Sequence, residues 1–166
     1  MMPPGCFCDM KVPELDIKLL KIQEDHERTH FYRWEMMRYS STPIDVNLST
    51  SFSYRAGGHM VRLILSARYT TLRDQMSHRL MDYSVISDFE LLGPDAEADP
   101  DEIIITTDLI KMMLGVAIGA MRGMIALKTA HTFLAHYPLP VYDLETLMKP
   151  VINAASEVRS ESTMSD

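Results

Sequence analysis

Residues 44–54, with the sequence IDVNLSTSFSY, decide the fold class. Along this stretch larger side chains at every second position, Ile44, Val46, Leu48, Thr50, Phe52 and Tyr54, alternate with Asp45, Asn47, Ser49, Ser51 and Ser53. A period of two is typical of a strand with one buried face and one solvated face. The stretch therefore predicts a half-buried strand of an antiparallel sheet.

The following residues predict a hairpin and a meander. Gly57 and Gly58 supply the positive φ angles that a tight turn requires. The return strand places Val61, Leu63, Leu65, Ala67 and Tyr69 on one face, and a third run does the same with Met81, Tyr83, Val85, Phe89 and Leu91. With a first strand in residues 15–22, we expect a four-stranded antiparallel sheet. We interpret residues 24–30, EDHERTH, as a bend and the aromatic residues 31–39 as an extended crossover.

The period changes after the acidic loop at residues 93–102. Residues 106–130, TTDLIKMMLGVAIGAMRGMIALKTA, carry apolar side chains at helical spacing and predict a helix of about 22 residues. Pro138 and Pro140 exclude a helix from the next segment, and a shorter second helix is expected from about residue 144 to about residue 156. The fold class is therefore α+β. We expect one domain over residues 14–156, with a flexible N-terminal segment at 1–13 and a flexible polar tail at 157–166.

Composition limits the partners and the compartment. The 166 residues include 16 Lys and Arg against 23 Asp and Glu, a net charge of −7, which argues against nucleic acid as the main partner. Cys6 and Cys8 are the two cysteines, so no disulfide framework is expected and a reducing compartment is favoured. The first ten residues lack the features of a signal peptide. We expect a cytoplasmic protein.

The long helix is apolar almost all round, as a membrane span would be. Lys111 and Arg122 argue against stable membrane insertion and favour a helix buried on both faces. Gly115, Gly119 and Gly123 lie four residues apart and form one stripe on which another backbone can approach closely. Two partners are consistent with that stripe: a neighbouring subunit, which would make it an oligomer interface, or the chain's own sheet.

Patterns typical of catalysis or metal binding are not evident in the sequence. The six histidines are scattered over polar segments and turns, and Cys6 and Cys8 lack further ligands at the spacing of a zinc site. No nucleophile elbow, phosphate-binding loop or dinucleotide fingerprint occurs in the sequence. The acidic residues near the first strand are interpreted as a solvated face. We therefore expect no catalytic residue, no metal site, no cofactor and no enzymatic activity.

The sequence resembles the SecB family of protein-export chaperones. The resemblance covers residues 15–152 and is sharpest at residues 131–148, HTFLAHYPLPVYDLETLM. In that family the long helix also runs into a Thr-Phe pair, here Thr132-Phe133, then into a segment with leucine and proline, here Leu139-Pro140-Val141. An acidic cap of the second helix follows, here Asp143-Leu144.

The resemblance implies a chaperone that holds unfolded or extended polypeptides without nucleotide or metal. It implies a dimer of dimers, with helices between sheets and an apolar client groove near the crossover and the second helix. The client-binding residues it suggests are Trp34, Met36, Met37 and Tyr39 in the crossover, and Phe133, Tyr137, Leu139, Tyr142 and Met148 in the loop and second helix. A place in the core is the competing interpretation for each of them. The resemblance leaves two pathways open. The chaperone could deliver clients to an export motor protein, or it could serve an antitoxin.

Two other functions remain as alternatives. One is an oligomeric adaptor dedicated to a single folded partner, such as an antitoxin. The other is an enzyme with a cone-shaped pocket in an α+β fold. The enzyme would need a buried acid or histidine in a closed pocket.

Overall fold

A computed structural model describes residues 16–30, 41–55, 59–92 and 107–149. Four strands come first, β1 (Asp16–Thr29), β2 (Ile44–Arg55), β3 (Met60–Arg73) and β4 (Met76–Leu92). Helix α1 (Thr107–Thr129) follows, then a 3₁₀ helix (Phe133–His136) and a second helix, α2, at residues 144–149. The predicted fold class, a four-stranded antiparallel sheet followed by a long and a shorter helix, is confirmed.

The sheet has the order β1-β4-β3-β2, and all of its pairs are antiparallel. The predicted hairpin is present, since Arg55 pairs with Met60, while Gly57 and Gly58 lie outside the described residues. A second hairpin joins β3 to β4, because Arg73 pairs with Met76. Asp74 and Gln75 are its two loop residues.

The predicted bend at residues 24–30 is wrong, because β1 continues to Thr29 along β4. The register shifts between Leu19 and Lys21 and again between Glu24 and His26, so the alternation of the strand is interrupted twice. After the second shift, Glu27 lies opposite Tyr83. In this polar part of the strand, Glu24 and Glu27 bind Lys128 of α1, and Glu24 also accepts a hydrogen bond from Tyr83 of β4.

The core lies between one face of the sheet and the helical layer. Val61, Leu65, Tyr69, Tyr83 and Phe89 of the two central strands are fully buried there. The predicted inward faces of β3 and β4 are confirmed. The crossover at residues 31–39, the acidic loop at 93–102, the end of α2 after residue 149 and the two predicted flexible termini lie outside the described residues.

Candidate functional site

Helix α1 packs on the sheet through one face. Its buried residues are Leu109, Ile110, Met113, Leu114, Ala117, Ile118, Met121, Ile125 and Thr129. They recur at spacings of three and four, which place them along one side of a helix. In the described part of the chain, α1 is also the one helix long and apolar enough to cross a membrane, and 44% of its apolar window is buried within the fold. Packing on the sheet therefore accounts for part of its apolar character.

The opposite face of α1 is apolar and exposed. We call it the exposed stripe; it consists of Met112, Gly115, Val116, Gly119, Gly123 and Leu127. Met112 is 56% exposed and Leu127 is 79% exposed. A Cβ atom added at any of the three glycines would meet no other atom within 4 Å. Of the two partners considered for the glycines, the chain's own sheet is therefore wrong for the described residues. A neighbouring subunit remains the prediction.

Residues 131–143, which we call the prolyl loop, lead from α1 to α2. The 3₁₀ helix at the start of the loop is capped by Thr132, whose Oγ1 accepts a hydrogen bond from Leu134 N at 3.2 Å. Farther along, the guanidinium of Arg122 donates to the carbonyl oxygens of Leu139 at 3.2 Å and Pro140 at 3.0 Å. These bonds fix the loop on the C-terminal half of α1. The next side chain, Val141, is 92% exposed.

Asp143 begins the second helix as an N-cap. Its Oδ1 accepts a hydrogen bond from Glu145 N at 3.1 Å, and its Oδ2 accepts one from the Thr146 hydroxyl at 2.9 Å. The bond from Thr146, followed by that from the Glu145 backbone, lowers the pKa of Asp143. The start of α2 at residue 144, predicted from the sequence, is thus confirmed.

Two hydrogen bonds attach the prolyl loop and α2 to strand β2. The Tyr142 hydroxyl donates to the carbonyl oxygen of Val46 at 2.7 Å. The Thr50 hydroxyl donates to the carbonyl oxygen of Leu147 at 3.0 Å. The loop is therefore held from both sides, by α1 through Arg122 and by the edge of the sheet.

The predicted client-binding residues fall into three groups. Trp34, Met36, Met37 and Tyr39 lie outside the described residues. Leu139 and Met148 are buried, with 3% and 2% exposed, and belong to the core. Phe133, Tyr137 and Tyr142 are half-buried and pack against the core with part of their surface outward. The role of all nine in client binding stays a prediction.

Four exposed apolar side chains near this surface were not predicted from the sequence: Met112, Val116, Leu127 and Val141. The first three could have been found, because they lie at spacings of three or four from the glycines and so share their helical face. Val141 carries a weaker signal, its place directly after Pro140. Its exposure follows from Arg122 holding the two residues that precede it.

A charged cluster connects the C-terminal end of α1 to β1. The Lys128 ammonium lies 2.6 Å from Glu27 Oε2 and 3.1 Å from Glu24 Oε2, and the Tyr83 hydroxyl donates to Glu24 at 3.0 Å. The pKa of Lys128 is raised by its hydrogen bonds to Glu27 and then Glu24. The pKa of Glu24 is lowered by those from Lys128 and then Tyr83. These acids join two elements, so the interpretation as a merely solvated face is wrong for Glu24 and Glu27.

Within residues 16–30, 41–55, 59–92 and 107–149, no three His, Cys, Asp or Glu side chains converge closely enough to hold a metal ion. The most buried carboxylate of these ranges, Asp88, is 7% exposed and binds the guanidinium of Arg62 through two hydrogen bonds of 2.7 and 3.0 Å.

No protein-family model matches the sequence, and no curated protein is significantly similar to it. Among solved structures, a SecB-like chaperone of Mycobacterium tuberculosis in complex with a peptide from an antitoxin is a structural neighbour. The two chains share 16% identity and a TM-score of 0.39, over 76% of this chain and 83% of the other. A protein of unknown function from Streptococcus agalactiae shares 12% identity and a TM-score of 0.37, over 78% of this chain and 98% of the other. Similarity of this degree does not assign a function.

Proposed function

We propose that the chain is a cytoplasmic, ATP-independent molecular chaperone that holds unfolded or extended polypeptides. The observation that carries the proposal is the apolar surface left uncovered at the prolyl loop, where Val141 is 92% exposed and Phe133, Tyr137 and Tyr142 are partly exposed. Large contiguous apolar patches on a soluble protein mark interaction surfaces. Burial of such a surface contributes about 25 cal/mol per Å² without requiring nucleotide or metal.

The exposed stripe of α1, which the chain's own sheet leaves uncovered, supports a homo-oligomer, which we propose to be a dimer of dimers. It runs from Met112 to Leu127, about 22 Å along the helix at 1.5 Å per residue. Glycine at three positions on one line lets a second helix approach closely, and an interior glycine costs about 1 kcal/mol relative to alanine. Within the protomer nothing packs closely on these glycines. A helix of a second subunit packed on them would explain why they are glycine.

Client binding is proposed for apolar surface at the prolyl loop. Val141 is almost fully exposed there, and Phe133, Tyr137 and Tyr142 are partly exposed close to it in sequence. Because hydrogen bonds to Arg122 and Val46 hold Leu139 and Tyr142 on either side of Val141, we expect the surface around Val141 to be largely preformed. A net charge of −7 favours encounter with basic clients.

The chain is proposed to act by binding alone, with no catalytic step and no cofactor. Support comes from Asp88, the most buried described carboxylate, whose oxygens are both engaged by Arg62. A general acid or base requires an accessible group, often with a pKa tuned by a neighbour in a closed pocket.

The experiment is suppression of aggregation. Several unrelated denatured proteins are diluted into nucleotide-free buffer with and without this protein, and light scattering is followed. A chaperone lowers scattering for most of them. Saturable binding to one folded protein such as an antitoxin, with no effect on general clients, would instead indicate the dedicated adaptor. A role in export would additionally require lower secretion of a client in cells that lack the protein.

A further inference from the structure

The face of the sheet turned away from α1 contains a groove of about 450 Å³. All four strands contribute to its lining, which includes three guanidinium groups, those of Arg28 on β1, Arg68 on β3 and Arg79 on β4. The carboxylate in the lining is that of Asp82 on β4. Arg28 and Arg68 lie directly opposite Asp82 on the strands to either side of it.

Asp82 is largely occupied by its neighbours. Its Oδ1 accepts a hydrogen bond of 2.8 Å from Arg68 Nε, and its Oδ2 lies 3.3 Å from His30 Nε2 and 3.9 Å from Arg79 Nη1. Burial acts to raise the pKa of Asp82, but Arg68, with His30 and Arg79, holds that pKa below its ordinary value. The carboxylate is therefore ionised at neutral pH, and it offsets one of the three arginine charges.

The groove is thus a positive site on an acidic protein. Among the described residues that line it, three arginines and one aspartate give an excess of two positive charges, whereas the whole chain carries −7. Among the described residues, the Arg28 guanidinium forms no ion pair or hydrogen bond with another side chain. Its five donors are available to a ligand, and the planar fork of a guanidinium matches the two oxygens of a carboxylate.

Neutral donors lie beside these cations. The hydroxyls of Ser66 and Ser84 are 2.8 Å apart, and the Ser49 hydroxyl donates to the carbonyl oxygen of Ser66 at 3.4 Å. All three serines line the groove. Hydroxyls can donate to an acceptor or accept from a backbone N–H, as recognition of a polypeptide requires.

We propose that this groove binds an acidic segment of a polypeptide, with carboxylates of the segment on Arg28 and on the arginines across the groove. The strands of Arg28 and Arg68 are separated by β4, so their backbones lie about 10 Å apart at the usual strand spacing. Acidic residues at alternate positions of an extended chain lie about 7 Å apart, so two of them can each meet an arginine on one side of the groove. If the groove helps to hold clients, that role rests on the chaperone function proposed above. Binding of an acidic peptide in the groove does not depend on that function.

The test uses a short fluorescein-labelled peptide of alternating Glu and Ser, and a matched peptide of alternating Gln and Ser. Fluorescence anisotropy with the full chain is expected to show saturable binding of the Glu peptide that weakens with added salt, and much weaker binding of the Gln peptide. Equal affinity for the two peptides would overturn the proposal. So would competition by inorganic phosphate at lower concentrations than the unlabelled Glu peptide, since that would make the groove a phosphate site.

Arg28→Gln provides the residue-level test. It is expected to weaken binding of the Glu peptide at least about tenfold, the lower range for loss of a hydrogen bond between charged groups. Lys21→Gln is the matched control, because it removes the same charge from an exposed position of β1 outside the groove and should leave the affinity within about twofold. Equal effects of the two substitutions would contradict the proposal. Arg28→Gln should leave the melting temperature and the suppression of aggregation of a basic client unchanged, so failure of the groove is distinguishable from failure of the chaperone function.

Discussion

The hydroxyl of Tyr142 donates a 2.7 Å hydrogen bond to the backbone carbonyl of Val46, and so joins residues 96 positions apart in the chain. Val46 belongs to β2, which is an edge strand of the described sheet. Its carbonyl thus gains a partner from the prolyl loop. Together with Arg122 on α1, this bond determines where the exposed apolar side chain of Val141 is presented.

Tyr142→Phe should therefore destabilise the protein. Loss of the hydroxyl leaves the Val46 carbonyl without that partner, and we expect the free energy of unfolding to fall by about 1 kcal/mol. Urea denaturation followed by circular dichroism measures it. Tyr137→Phe is the control, because the Tyr137 hydroxyl forms no hydrogen bond within the described residues, and its effect should stay within about 0.5 kcal/mol. Equal losses in the two variants would contradict the assigned role of Tyr142.

Gly119→Leu tests the oligomer interface. Within the protomer a new side chain at this position meets open space, so the variant should fold. A second helix packed on the stripe would be pushed away, at a cost of about 1 to 3 kcal/mol at each contact. We expect a lower solution mass in size exclusion with static light scattering, and a circular dichroism spectrum like that of the wild type.

Thr107→Leu is the control for that substitution, since Thr107 is exposed on α1 but lies off the stripe. It should leave the mass unchanged. A Gly119→Leu protein with the wild-type mass and melting temperature would show that nothing packs on the glycines.

Acid should destabilise the fold through Glu24. The pKa of Glu24 is lowered in the folded chain by hydrogen bonds from Lys128 and then Tyr83. A carboxyl group with a lowered folded-state pKa stabilises the fold above its unfolded pKa, and this contribution is lost as the pH falls through the folded pKa. Glu24 should therefore contribute fully between pH 7 and pH 5, and its contribution should be lost below about pH 4.

Urea denaturation as a function of pH measures this contribution. In Glu24→Gln the decline of stability toward acid should be shallower than in the wild type. Asp45→Asn, at an exposed position on β2, should retain the wild-type decline. A Glu24→Gln protein with the wild-type pH profile would rule out the proposed coupling to Lys128.

The turn between β3 and β4 offers a stabilising substitution. Asp74 and Gln75 both have positive φ angles, of 50° and 63°, as a two-residue hairpin loop requires. The left-handed conformation has a steric cost for any residue with a Cβ atom. Gln also lacks the short side chain that helps Asn and Asp to adopt it. Gln75→Gly should raise the free energy of unfolding by about 1 kcal/mol in thermal or urea denaturation. Ser77→Gly, within β4, should lower it.

Much of the fold could be predicted because its strands follow a simple rule. In β2, β3 and most of β4 one face is buried, so side-chain polarity alternates with the pleat. β1 does not follow the rule, since its two register shifts move the alternation out of phase. Its polar half pairs with β4, and its Glu24 and Glu27 bind Lys128, about a hundred residues later. A pairing over such a distance has no local signal in one sequence.

The surfaces were less predictable than the fold. The spacing of Gly115, Gly119 and Gly123 identified a stripe, but only the packing of α1 revealed that the stripe faces away from the sheet. The groove on the other face depends on strand register, which places Arg28 and Arg68 on either side of Asp82. Arg28 and Arg68 lie 54 and 14 residues from Asp82 in the sequence, so this arrangement could not be predicted without the register.

Equilibrium binding of a permanently unfolded protein is the most direct test of the chaperone function. A disulfide-containing protein that is reduced and alkylated stays unfolded in native buffer, and the same protein with its disulfides intact supplies the folded form. Fluorescence anisotropy of both labelled forms, without nucleotide, should show saturable binding of the unfolded form and none of the folded form. No binding of the unfolded form, or equal binding of both, would contradict a role in holding unfolded polypeptides.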